Sequence, residues 1–243
     1  MIRTPAVRSF SDEIAIYCDF DGTIALEDVT DAILSRLAEK EWVEIEAEWD
    51  RGLITSRECM ARQVKLIQGG WKAVKSVLDG IRLDPTFAPF ATWCTASGIP
   101  LVVVSDGLDS VIRHLLWRDE IPVDGIWANH LNETGDRLFL TFGASPAGRT
   151  CEAGLCKCEV MQLTSPFHAH RVVIGDGKSD FCWAQEADTV FAKSKLLEFC
   201  VSRKIQCHSF VDFDSIRHVL EMMTGCGSVL QEHIQTGLVG HAV

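Results

Sequence analysis

Three short apolar runs stand far apart along the chain, and each one stops at a polar loop. Residues 14–18 (IAIYC) run into Asp19, residues 101–104 (LVVV) into Ser105-Asp106-Gly107, and residues 171–174 (RVVI) into Gly175-Asp176-Gly177. Brief β-branched runs without polar alternation predict strands covered on both faces, as in a parallel sheet. Residues 189–192 (TVFA) and 208–211 (HSFV) predict two more. Residues 28–83 follow another pattern. Apolar positions at helical spacing predict helices over 28–39, 42–51, 56–68 and 71–78, with Gly52 and Gly69-Gly70 at the breaks. Asp84-Pro85 predicts a helix start, with Asp as cap and Pro at the first position. Residues 126–142 predict a strand pair turning at Thr134-Gly135-Asp136. The expected fold class is therefore α/β: a doubly wound parallel sheet formed by 1–26 and 85–243, with a β-hairpin insertion and a small helical cap at 27–84.

Composition narrows what such a fold could do. Hydrophobic residues make up 47% of the 243 positions and charged residues 23%, enough to build a buried core. No apolar run approaches the ~18 residues of a membrane span, and residues 1–13 lack the apolar stretch of a secretory signal. The expectation is a cytoplasmic protein with no membrane partner, as a monomer or homodimer. The formal net charge of −11, without a run of Lys or Arg, argues against a nucleic-acid partner. It also means that an anionic substrate would need a metal ion and a few well-placed cations. The ten cysteines, in a long chain without a signal, are expected as reduced thiols.

The chemistry is concentrated where the strands end. Asp19 and Asp21 in DFDGT lie two residues apart, so both can point to one side. Two carboxylates that close oppose each other's ionisation unless a cation or proton intervenes. Gly22 allows a tight turn whose following amides, at Thr23, can face an anion. Ser105, Asp106 and Gly107 offer a hydroxyl and amides ahead of a helix start, a second phosphate cradle. Asp176 and Asp180 in GDGKSD suit magnesium, which takes oxygen ligands from one or two carboxylates. Each motif alone also has a plain structural reading, as an acidic turn, a helix cap or a surface lysine.

Taken in order, DFDGT at 19–23, VVVSDG at 102–107, Lys157 and GDGKSD at 175–180 resemble the four motifs of the haloacid dehalogenase (HAD) superfamily. The helical block after the first motif is similar to the subclass with a C1-type cap, which includes phosphoserine phosphatase. CDFDGTIALEDVTDAIL (18–34), GLITSRECMARQVKLI (52–67), VVSDGLD (103–109) and ANHL (128–131) are similar to the MtnX-like phosphatases. The resemblance implies a HAD-type Rossmann-like core and a Mg2+-dependent phosphomonoesterase acting on a small phosphorylated metabolite. For MtnX-like members that metabolite is 2-hydroxy-3-keto-5-methylthiopentenyl-1-phosphate. It implies Asp19 as nucleophile and metal ligand. Asp21 is implied as acid, then base, lending its carbonyl to the metal. Ser105 and Lys157 hold the phosphoryl group, with Thr23, Asp106 and Gly107 beside them. Asp176 ligates the metal, and Asp180 supports it from behind. Asp at position 21 favours phosphatase over dehalogenase chemistry.

Within the subclass, Asp28 matches an acidic cap residue after the first motif, placed to contact substrate or to hinge the cap. Gln63 falls where phosphoserine phosphatases place a carboxylate-gripping arginine, with Arg62 beside it. Asp106 replaces a glycine there and adds negative charge. A phosphoserine phosphatase, a phosphotransferase or a silent HAD-fold binding module are the alternatives. Cys151, Cys156 and Cys158 surround Lys157 as C-x4-C-x-C, a spacing that fits packed thiols better than zinc. A thiolate exposed beside Lys157 would be reactive.

Overall fold

The computed structural model describes residues 14–143 and 153–224. Cys151 lies outside the described residues, and so do all but the first of the C-terminal 20, expected as a weak helix and a loose end. Seven strands form one sheet in the order β4-β3-β2-β1-β5-β6-β7. They are β1 (Ile14–Cys18), β2 (Leu101–Leu108), β3 (Gly125–Thr134), β4 (Arg137–Thr141), β5 (His170–Gly175), β6 (Thr189–Ala192) and β7 (His208–Ser209). All neighbouring pairs are parallel except the β3–β4 hairpin.

The first strand shows why its residues read as an unbroken apolar run. Ile14, Ile16 and Cys18 pack into one core cluster, while Ala15 and Tyr17 pack into the cluster on the other face. With a side-chain period of two, a strand buried on both sides must be apolar at every position. The first face gathers Phe87, Phe90 and Phe213, with Phe87 and Phe213 ring centroids 4.8 Å apart. The second gathers Met161, Trp183 and Leu196.

Four helices follow β1: α1 (Val29–Leu37), α2 (Trp42–Asp50), α3 (Ser56–Gln63) and α4 (Gly70–Leu78). Asp28 caps α1 by accepting from the Asp31 amide, and Thr55 caps α3 by accepting from Glu58. The expected 56–68 helix instead ends at Gln63 and tightens into a 3-10 turn over Val64–Leu66. The return helix, α5 (Phe87–Ala96), starts later than Asp84-Pro85 suggests. Asp84 accepts from both the amide and the hydroxyl of Thr86, making a local turn ahead of the helix. The remaining helices are α6 (Asp109–Arg118), α7 (Lys157–Thr164), α8 (Phe181–Ala184), α9 (Ser194–Arg203) and α10 (Phe213–Thr224). Among the described residues, no helix is long and apolar enough to cross a membrane.

β1 is the switch point of the sheet. The chain adds β2, β3 and β4 on one side of it, then returns to add β5, β6 and β7 on the other. Cys18 is in register with Val103 of β2 and with Ile174 of β5. Asp19 and Asp176, just past β1 and β5, and Ser105, in the second half of β2, therefore lie on three adjacent strands at the same edge, where open α/β sheets bind ligands.

Candidate active site

That edge assembles a charged cluster around Lys157, the first residue of α7. The lysine is buried, and its Nζ lies 2.7 Å from Asp19 Oδ1 and 2.7 Å from Asp180 Oδ1. It also stands over the Trp183 ring, 4.9 Å from the centroid. Burial works against the ammonium, but Asp180 and Asp19 prevail and hold its pKa above the ordinary lysine value. Asp180 is fully engaged: its Oδ2 accepts from the amides of Asp176 and Gly177, each at 3.0 Å. This fits a residue that holds Lys157 and the Asp176 loop in place rather than one that ligates directly.

Asp19 is buried, and its Oδ1 also accepts from the Phe20 amide at 2.7 Å. Burial and then Asp180 push its carboxyl above the usual range, with Lys157 pulling the other way. Burial, then Asp180, likewise raises Asp176, whose Oδ1 accepts from the Thr23 hydroxyl at 3.2 Å. The Thr23 side chain thus ties the DFDGT turn to the Asp176 loop. Burial, then Asp28, raises the Asp21 carboxyl to about 7. Asp21 Oδ1 accepts from the Val29 amide at 2.9 Å and Oδ2 from Ser105 Oγ at 3.3 Å. Ser105 in turn accepts from the Gly107 amide at 2.9 Å.

Among the described residues, Asp19, Asp176 and Asp180 are the group of potential metal ligands whose oxygens approach within 4.8 Å of one another. The donor set is all oxygen and carries three carboxylates against the buried Lys157, with Lys193 acting on Asp176 from further off and Asp21 nearby. Such a cluster calls for a further positive charge to keep its members ionised. The residues present therefore fit a hard divalent cation, with Asp19 and Asp176 as the carboxylates that remain to bind it.

The cap-side expectations fare differently. Asp28 sits at the mouth of α1, where its charge acts on Asp21. Arg62 instead pairs with Glu48 of α2 at 2.6 Å, and Gln63 donates to Glu46 at 2.8 Å and to the Trp42 carbonyl. Both residues tie α3 to α2, because α2 places its acidic face against them. The Asp106 carboxylate accepts from Ser56, Leu155 and Asn129. Cys156 and Cys158 flank Lys157 as buried thiols with sulfurs 3.3 Å apart. The contact with Cys182, then burial, pushes the Cys158 thiol well up, which opposes the reactive thiolate considered from sequence. Trp183, Asn129 and Ser56 join the site without any sequence motif to mark them. Only their position in space connects them to the motifs, and no spacing signals it.

The family model described as haloacid dehalogenase-like hydrolase matches residues 16–185. A 2-hydroxy-3-keto-5-methylthiopentenyl-1-phosphate phosphatase of Brevibacillus brevis is 26% identical over 216 residues, 88% of this chain and 97% of its own. Pdp3-interacting factor 1 of Schizosaccharomyces pombe is 26% identical over 220 residues, 87% of this chain and 96% of its own. Among solved structures, a substrate-bound phosphoserine phosphatase superposes with a TM-score of 0.62 at 18% identity, covering 86% of this chain and 98% of its own.

Proposed function

The chain belongs to the haloacid dehalogenase-like hydrolases, and from that premise we propose a magnesium-dependent phosphatase that hydrolyses a small phosphorylated metabolite through a phospho-aspartate on Asp19. The observation that carries the reading is the Lys157 ammonium set between Asp19 and Asp180, with Asp176, Asp21 and Ser105 on the same sheet edge. Bound between Asp19, Asp176 and the Asp21 carbonyl, Mg2+ would supply charge neutralisation for the phosphoryl oxygens.

The protein's own groups account for the rest. Lys157 and the Phe20 amide both engage Asp19 Oδ1, which leaves Oδ2 to attack phosphorus. The Ser105 hydroxyl, oriented by the Gly107 amide, and Lys157 hold the transferring group in line, which is most of what phosphoryl transfer needs. Asp21, protonated near neutrality, donates its proton to the departing alkoxide. Its carboxylate then takes a proton from the water that cleaves the acyl phosphate. Residues 27–84 act as a cap over this edge. Ser56 reaches Asp106, and Lys178, in the Asp176 loop, sits 5.6 Å from the Trp49 ring centroid.

2-Hydroxy-3-keto-5-methylthiopentenyl-1-phosphate is the substrate favoured by similarity to the Brevibacillus brevis enzyme. The engagement of Arg62 with Glu48 weighs against phosphoserine, whose carboxylate would seek such a cation. The test is phosphate release from a panel holding both esters, with and without magnesium. Release should require magnesium, and Asp19→Asn should abolish it. An Asp19→Asn protein as active as the parent would end the reading.

A further inference from the structure

Asp106 follows Ser105 directly, where a carboxylate would repel the anion that Ser105 is placed to hold. Its oxygens point to three donors instead. Oδ2 accepts from Ser56 Oγ at 2.8 Å, and Oδ1 accepts from the Leu155 amide at 2.9 Å and from Asn129 Nδ2 at 3.1 Å. These donors come from three separate stretches of chain: the first turn of α3, the loop just before Lys157, and β3. Asn129 is buried and donates to the Asp106 carbonyl as well, so it fixes both the backbone and the side chain of this residue. The next residue of α3, Arg57, reaches the Gly143 carbonyl at 3.2 Å, with its guanidinium 4.7 Å from the Phe142 ring centroid. The same turn of helix thus also grips the far end of the hairpin.

We propose that Asp106 is a positioning residue that couples the seating of α3 to the placement of Ser105 and of Lys157. The inference rests on the phosphatase reading for its kinetic consequence, though not for its structural one. When α3 sits down, Ser56 gives Asp106 its third donor. Asp106, held by Asn129, then draws in the Leu155 amide, two residues before Lys157. A negative charge suits the task because hydrogen bonds to an ionised acceptor are the strong ones. The Ser56 hydroxyl is not needed for the helix itself, since Thr55 provides the cap.

Two readouts test this. With p-nitrophenyl phosphate and magnesium, Ser56→Ala should lower kcat about tenfold while the protein stays folded at the assay temperature, and Ser56→Thr should restore it. Asp106→Ala should lose more, and adding Ser56→Ala to it should cost nothing further, because the two act through one bond. Amide exchange supplies the second readout: Ser56→Ala should speed exchange in the 154–158 segment, whether or not the protein turns over this ester. Ser56→Ala with parental kcat, or losses that simply multiply in the double variant, would overturn the coupling. So would unchanged exchange at 154–158. An inactive parent with faster exchange in Ser56→Ala would instead refute the phosphatase reading and leave the coupling standing.

Discussion

Asp21 is the residue whose chemistry depends most on its surroundings. It is half-buried, and it accepts hydrogen bonds from the Val29 amide and the Ser105 hydroxyl. Burial and the charge of Asp28 nevertheless raise its carboxyl to about 7. A group that donates a proton must hold one, so the acid form dominates below that value and is lost above it. Phosphoenzyme formation from an alkyl phosphate should therefore slow as pH rises through about 7. An ester whose leaving group departs without protonation, such as p-nitrophenyl phosphate, should show little of this limb. Asp21→Asn should cut the alkyl reaction by roughly 100- to 10,000-fold, the usual contribution of a general acid, and the aryl reaction by much less. Single-turnover measurements on both esters decide the point: equal losses would remove Asp21 from the proton-transfer role. The sequence placed Asp21 beside Asp19 but could not supply its protonation, which depends on Asp28 and on burial by chain segments distant in sequence.

At the scale of elements, the strands were readable because each lies buried on both faces, and burial leaves a mark on every residue. β1, β5 and β6 appear close to where their apolar runs lie. β2 runs on through Ser105 to Leu108, past the end of its apolar run, because the polar residues there still continue the strand. β7 falls within the 208–211 run but is only two residues long, and both of its positions are exposed. The sequence reading includes no helix at α9 or α10 and only a helix start for α6, although the apolar periodicity of these helices is no weaker than that of α2 and α3. Turns proved more informative. Gly22 has φ +69°, and a Cβ there would stand 2.6 Å from Asp176 Oδ2. Gly22→Ala would have to move either the DFDGT turn or the Asp176 carboxylate. Gly52 has a similar φ of +70° with nothing within 4 Å of an added Cβ. Gly52→Ala therefore carries the backbone cost, about 1–2 kcal/mol, without the collision. The magnesium concentration for half-maximal activity should rise about tenfold in Gly22→Ala and stay near parental in Gly52→Ala. A parental value in Gly22→Ala would show that the turn does not govern the metal site.

For the whole molecule, the fold concentrates negative charge at one sheet edge and leaves Lys157 as its buried counter-charge. Asp19, Asp21 and Asp176 all have carboxyls raised by burial. The sign follows from linkage: a carboxyl whose pKa is higher in the folded state than in the unfolded chain binds protons more tightly when folded. Its stabilising contribution is complete below about pH 4, the unfolded value. It is lost as pH climbs toward the folded value, about 7 for Asp21. The metal-free protein should accordingly become less stable between about pH 4 and pH 7, as the cluster ionises against itself. Magnesium binds the ionised folded form, so its effect should run in the opposite direction. At a concentration 100 times Kd it adds about 2.7 kcal/mol, equivalent to roughly 5–10 °C in Tm for a chain of this size. Thermal melts across this pH range, with EDTA and with magnesium, should show the two curves close together at pH 4.5 and separated at pH 7.5. Asp176→Asn removes one carboxylate from the cluster. It should raise the metal-free Tm at pH 7.5 and abolish most of the magnesium increment. If magnesium shifted Tm equally at both pH values, the cluster would not be the cation's site, and the shared sheet edge would lose its claim to organise the chemistry.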